Sequence, residues 1–346
     1  MRRLLRYLGR MGLVVLALVL LLAAPVAYTE TMCQGSATPT PSTPLATETR
    51  SEIRTLLTYP EWHIVHAYDD YAEVIAKGAP HDFGYLRAIS GYWTSLCALT
   101  TQSAELGEID GDTKSLVYVI GVSFTAEMVM KALYEETFGR IAVMIRGDAR
   151  TPLDELSAAQ AANYARFLQQ TPWYLYDFRS DAAVLEAFAS SAFRDRERAF
   201  ALGLEHAARA AYAGVIEDAV AATGQDDLTL QMVVRADALP IVERTEGVRV
   251  LRRFDDLIEI ETPRYRRLTG ILAEWADQGV DFVDMAGNDQ IMFTALSDAA
   301  RVEGALLSLP RQGYVDTRHL FLVPVADLAE RLRNFETVRL EHIHDY

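Results

Sequence analysis

One run of this chain is poorly suited to water. Met11 to Tyr28 contains no charged residue, and residues 1 to 10 hold Arg2, Arg3, Arg6 and Arg10 with no acid. An apolar helix of about 18 residues is just long enough to cross the hydrocarbon core of a bilayer. Arginines gathered on one flank keep that flank cytoplasmic, so everything after Tyr28 is expected on the far side. The competing reading is a signal peptide that is cleaved, leaving a secreted body. Pro25 interrupts the small residues Ala23-Ala24 and no A-x-A site follows, which favours a retained anchor. Residues 1–28 are therefore expected to be a basic stub and one transmembrane helix.

Residues 29–50 are rich in Thr, Ser and Pro, as in Ala37-Thr-Pro-Thr-Pro-Ser-Thr-Pro44. Such a stretch has little apolar surface to bury and reads as a semi-extended spacer holding the body off the membrane. The body is acidic: 48 Asp and Glu against 33 Lys and Arg give a formal charge of −15. That balance argues against nucleic acid as a partner. Cys33 and Cys97 are the two cysteines, so paired-cysteine zinc and thioredoxin-like motifs are absent. They suit either one disulfide in an oxidising compartment or two free thiols.

Residues 51–224 read as a helical bundle. Stepping about 100° per residue from Thr58 puts His63, His66, Asp70 and Glu73 on one face, with Ile64, Tyr68, Tyr71 and Ile75 opposite. Thr58-x-x-Glu61 matches a capping box with Pro60 in the first turn. Residues 113–146 form the longest apolar pattern, and Ser123, Glu127, Lys131, Tyr134 and Glu135 share one arc of it. Glu127 and Lys131 would be expensive in lipid, so we expect a core helix of a soluble bundle with this polar strip turned inward or toward a partner helix. Residues 171–178 are an aromatic-rich irregular segment, with Trp173-Tyr-Leu-Tyr176 suited to the rim of a pocket.

From residue 225 the period changes. Alternating runs at 228–235, 248–254 and 257–261 read as strands, and a helix runs from Pro263 to Asp277. Further strands are expected at 280–285, 290–296, 319–323 and 338–343, with a helix at 326–334. Gly287-Asn288 is expected to be a hairpin turn. The order suggests a small ferredoxin-like α+β sandwich over 225–346, with no internal repeat. The fold class is thus mainly α with a C-terminal α+β domain.

The sharpest chemical candidate is a divalent metal site. Imidazoles at His63 and His66, with Asp70 one turn on, can reach one ion if Glu127 supplies a further ligand from another helix. His342-x-His344 lies on one side of the last strand, near an end expected to be exposed. No nucleophile elbow, Walker loop, dinucleotide fingerprint or HExxH motif is present. At Thr58-Tyr-Pro-Glu-Trp-His63, Gly121-Val-Ser-Phe-Thr125 and Thr171-Pro-Trp-Tyr174 the chain resembles a group of uncharacterised bacterial membrane-anchored proteins, over most of residues 51–220. The resemblance implies an envelope location and carries no catalytic residue; the arginine flank makes the expected site the inner membrane, with the body in the periplasm. The expected function is an envelope protein binding a partner or small ligand between helices. The alternative is a metal-binding protein or metal-dependent enzyme using His63, His66, Asp70 and Glu127.

Overall fold

The fold is described from a computed structural model covering residues 2–35, 44–147, 149–223, 228–335 and 337–345. Helices occupy the chain as far as Thr223: α1 (Arg2–Met32), α2 (Glu52–Leu57), α3 (Tyr59–Lys77), α4 (Tyr85–Ser103), α5 (Gly111–Tyr134), α6 (Arg140–Arg146), α7 (Pro152–Leu168), α8 (Phe178–Phe188) and α9 (Phe193–Thr223). A π-helical turn, Glu135–Gly139, joins α5 to α6 without a break.

The body begins one short helix earlier than the capping-box reading implies. Ser51 caps α2 by accepting the Arg54 N–H, whereas Thr58 makes no side-chain cap for α3. The Thr58 hydroxyl instead donates back to the Thr55 carbonyl at 2.7 Å, because the chain is already helical there. Pro60 does sit in the first turn of α3.

The stretch expected to be a free spacer is tied down on both sides of residues 36–43, which lie outside the described residues. Cys33 is disulfide-bonded to Cys97 of α4, with Cα atoms 5.1 Å apart. On the other side Leu45 N–H donates to Asp284 at 2.9 Å and the Thr47 hydroxyl to Glu259 at 2.9 Å. Arg50 N–H donates to the Ala286 carbonyl at 2.8 Å. These polar groups on the α+β part take up the backbone of an apolar-poor strap, so the body is held against the end of α1 and not spaced from it.

Strands begin at β1 (Thr229–Arg235), followed by the short helix α10 (Leu239–Val242), β2 (Arg249–Phe254), β3 (Leu257–Pro263), α11 (Arg266–Asp277) and β4 (Phe282–Met285). Then come β5 (Gln290–Ser297), β6 (Leu307–Pro310), β7 (Thr317–Pro324), α12 (Val325–Arg333) and β8 (Arg339–His344). They do not make one ferredoxin-like sandwich. They make two antiparallel four-stranded sheets, in the orders β2-β3-β1-β4 and β6-β7-β5-β8.

The two sheets are one unit built twice: strand, hairpin, helix, strand. The correspondence reaches the irregularities. The pairing of β1 with β4 slips between Val233 and Val234, leaving Val283 over, and that of β5 with β8 slips between Thr294 and Ala295, leaving Glu341 over. This corrects the expectation of no repeat, which residue identities alone do not reveal. The tight turn expected at Gly287-Asn288 is present, closed by the Asn288 N–H donating to the Met285 carbonyl at 2.9 Å, but it does not join two strands of one sheet. Ala286 and Gly287 both take positive φ, and the chain passes there from one sheet to the other, with Asn288 donating to the Thr55 hydroxyl at 2.9 Å.

One core lies between the sheets and their helices, where Phe282, Ile260 and Phe293 meet Leu272 and Trp275 of α11 and Leu328 of α12. The other gathers α2 to α5 and α7 with Met292 and Leu320 from the outer face of the second sheet. Helix α3 therefore lies between that sheet and the remaining helices, and both of its faces are covered.

Among the described residues the helix long and apolar enough to cross a membrane is 111–146, and only 28% of its most apolar window is buried. That corrects the expectation of a buried core helix. The anchor expected over 11–28 falls within α1, but many of its side chains lie outside the described residues, leaving Val19–Met32 as a shorter apolar stretch.

Candidate ligand cleft and a buried histidine layer on one helix

Helix α3 presents different chemistry on each side. Its polar face meets the second sheet. The His63 Nε2–H donates to the Ala88 carbonyl of α4 at 2.9 Å. Gly91 makes that approach possible, since a Cβ there would lie 2.3 Å from the His63 ring. Burial lowers the pKa of His63 to about 4, so the ring is neutral at pH 7. One turn on, His66 is also buried and sits 4.0 Å from Glu341, beyond hydrogen-bond reach. Burial, then the charge of Arg318, holds His66 well below the ordinary histidine range.

Asp70 accepts the Gln312 N–H at 2.9 Å and faces Arg311 at 3.6 Å and Arg318 at 3.9 Å. Burial nonetheless outweighs these cations and raises its pKa to about 6. Arg318 itself clamps Glu341 through two hydrogen bonds of 2.6 and 2.8 Å. That pairing depends on the bulge in β8. The extra residue of a bulge is re-aimed relative to strict alternation, and here Glu341 joins His342 and His344 on the side that meets α3.

His342 and His344 follow. The Trp62 ring lies over His342 with centroids 3.8 Å apart, and Thr269 is 3.3 Å from its Nδ1. His344 is enclosed by Tyr59 and His342, each with a ring centroid 5.0 Å away. Burial lowers His342 to about 3 and drives His344 well down. The pair expected to be exposed is thus fully inside, because β8 is covered by α3 and α11.

Several buried polar atoms of this layer have no hydrogen-bond partner among the described residues: Tyr59 Oη, His66 Nε2, His342 Nε2 and both nitrogens of His344. Neutral imidazole is the metal-ligating form. Even so, no group of three His, Cys, Asp or Glu among the described residues is arranged to hold a metal ion.

The opposite face of α3 looks into the helical bundle. The Tyr68 hydroxyl donates to Glu127 at 2.7 Å and accepts from Arg209 of α9 at 2.7 Å. Arg209 pairs with Glu127 and, at 3.1 Å, with Glu205, which Lys131 meets at 3.0 Å. The polar strip of α5 thus turns inward, as its arc implies, and α9 supplies the counter-charges. Pairs run Glu127–Arg209, Lys131–Glu205 and Glu135–Arg198, so the two helices lie antiparallel.

This explains why the expected metal site does not form. His63, His66 and Asp70 share one face, but Glu127 lies across α3 from them, bonded to Tyr68 of the stripe opposite. The four side chains do not converge.

Between α3, α7 and α9 the same network floors a narrow cleft that opens to solvent, with a cavity volume of about 40 Å³. Tyr71, Tyr164, Tyr176 and Phe178 supply its apolar walls. Arg209 lies over the Tyr68 and Tyr164 rings at 4.9 and 5.1 Å, and Lys131 over Tyr71 at 4.6 Å. Tyr176 belongs to the aromatic-rich segment, and its hydroxyl is fixed by Asp181 at 2.8 Å. Gln160 Oε1 and His206 Nδ1, on opposing helices, are buried without hydrogen-bond partners among the described residues.

Sequence reasoning missed Arg311, Arg318 and Glu341 in the layer, and Gln160, Arg209 and Asp181 in the cleft. A signal existed for Arg318: a charge in the strand Thr-Arg-His-Leu-Phe-Leu-Val-Pro, at a position buried in the sheet. No known protein family, curated protein or solved structure matches the chain.

Proposed function

We propose that this chain is a membrane-anchored envelope protein that binds a small amphipathic ligand in the cleft between α3, α7 and α9. The observation that carries the reading is the composition of that cleft. Aromatic walls surround a few converging polar groups, and two polar atoms there, Gln160 Oε1 and His206 Nδ1, have no hydrogen-bond partner among the described residues. Buried polar atoms are nearly always hydrogen-bonded, so such orphans mark where a bound molecule would supply the missing bond. The ligand this favours has an aromatic or apolar body of modest size and a hydrogen-bonding group directed at Gln160 and His206.

The envelope location is part of the same proposal. The four arginines before an apolar helix favour an anchor with the body in the periplasm. A disulfide between Cys33 and Cys97 suits an oxidising compartment.

The test uses the full chain in detergent. A library of small aromatic acids, amines and amides is screened by thermal shift and by ligand-observed NMR. Binders are expected for the wild type and not for Ala161→Phe, which fills the cleft. Binding that survives Ala161→Phe would end the proposal.

A further inference from the structure

Helices α5, α6 and α9 are built the wrong way round for a body surrounded by water. Most of their charges point inward and pair with one another, with Arg196 and Glu217 of α9 and the pair Glu136–Arg140 left exposed, while large apolar side chains point outward. On α5 and α6 the outward stripe includes Val119, Met130, Leu133, Phe138, Ile141 and Met144. Met130 is 64%, Phe138 66% and Met144 81% exposed. On α9 it includes Phe193, Phe200, Leu204 and Val215, with Phe200 70% exposed. Isolated exposed apolar residues are ordinary, but a continuous patch over neighbouring helices marks a contact surface.

We propose that this face contacts the lipid bilayer. Three observations favour lipid over a second copy of the chain. The first is length. From Val119 to Met144 the stripe extends about 38 Å at 1.5 Å per residue, which exceeds the roughly 30 Å of a bilayer's hydrocarbon core.

The second is the treatment of charge. In the tract 111–146, Glu127, Lys131 and Glu135 are all turned from the stripe and paired with Arg209, Glu205 and Arg198. The cost of Glu127 and Lys131 in hydrocarbon is therefore removed by geometry, because neither faces it. The exposed pair Glu136–Arg140 on the same tract is joined at i,i+4, so its charges offset each other.

The third is continuity with α1. Glu30 at the end of α1 meets Lys114 at 3.2 Å and the Tyr118 hydroxyl at 2.7 Å, at the start of α5. With Cys33 fixed to Cys97 as well, the apolar face starts where the apolar helix α1 ends. Leu16, Val19 and Leu20 of α1 are themselves exposed. The contacts of Glu30 and the disulfide thus hold this apolar face beside the anchor and its bilayer.

The experiment uses the full chain, with its disulfide intact, in vesicles of phosphatidylcholine and phosphatidylglycerol. A fluorescent probe is attached at Met130→Cys, at Met144→Cys, or at Val315→Cys, which is 97% exposed on the α+β part and serves as the control. Phosphatidylcholine brominated on its acyl chains should quench the probes at 130 and 144 and leave that at 315 unaffected. Aqueous iodide should give the reverse pattern. Iodide quenching at 130 and 144 equal to that at 315 would overturn the proposal. So would probes shielded from both quenchers that cross-link between copies, which would identify a protein interface.

Discussion

The buried histidine layer makes the stability of this protein depend on pH. In the unfolded chain each histidine titrates near 6.5. In the fold His63 is lowered to about 4 and His342 to about 3, with His66 and His344 also driven down, mainly by burial. The unfolded state therefore binds more protons below neutrality, and stability falls with pH from about 6.5 towards 4. A histidine that stays neutral in the fold while titrating freely in the unfolded chain loses about 1.9 kcal/mol of stabilisation between pH 7 and 5. Four such groups give a ceiling of about 7.6 kcal/mol. Asp70 acts in the opposite sense. Its pKa is raised to about 6, so the fold takes up a proton in this window and recovers about 1.3 kcal/mol. The net ceiling of about 6 kcal/mol is comparable with the whole stability of a typical domain. Urea unfolding of the full chain in detergent, followed by tryptophan fluorescence at pH 7, 6 and 5, measures it. His344→Gln should flatten the profile by up to about 1.4 kcal/mol per pH unit. A stability that does not change between pH 7 and 5, or an unaltered slope in the variant, would refute the assignment of a neutral buried layer.

Other perturbations have separate expectations. Arg318→Ala strips the cation from Glu341 and from Asp70, both largely buried, and should cost about 3–5 kcal/mol by chemical denaturation. Opening the Cys33–Cys97 bond, which spans 64 residues, should lower stability by about 4 kcal/mol on the loop-entropy estimate, with little change in circular dichroism below the transition. Gly91→Ala drives a methyl into the His63 ring, so its melting temperature should drop, and His63→Ala in the same chain should restore part of the loss.

Much of the organisation could be read from residue order because it rests on local periodicity. The polar and aromatic sides of α3 follow from a step of 100°, and the structure uses both, for the histidine layer and for the cleft. The inward arc Glu127, Lys131 and Glu135 was likewise visible. What periodicity does not carry is which element covers a face. Glu127 was assigned to the histidines because both were polar; only the tertiary arrangement sets it across α3, beside Tyr68 and Arg209. Position near the end of the chain points to exposure for His342 and His344, yet α3 and α11 close over them. Glu341 joins them through a bulge, a slip of register that alternation cannot announce. The duplicated sheets were hidden for a similar reason: strand order and bulge position repeat, and the residues that fill them do not. The burial expected for 113–146 failed because hydropathy gives the amount of apolar surface and not its direction.

Helix α3 separates two centres, and the one open to solvent is the narrow cleft proposed to take the ligand. Titration calorimetry with a fragment found by the screen tests this on two variants of the full chain. Ala161→Phe should abolish binding, while His66→Gln, on the far side of α3, should leave the affinity unchanged. Binding lost in His66→Gln and kept in Ala161→Phe would contradict the account.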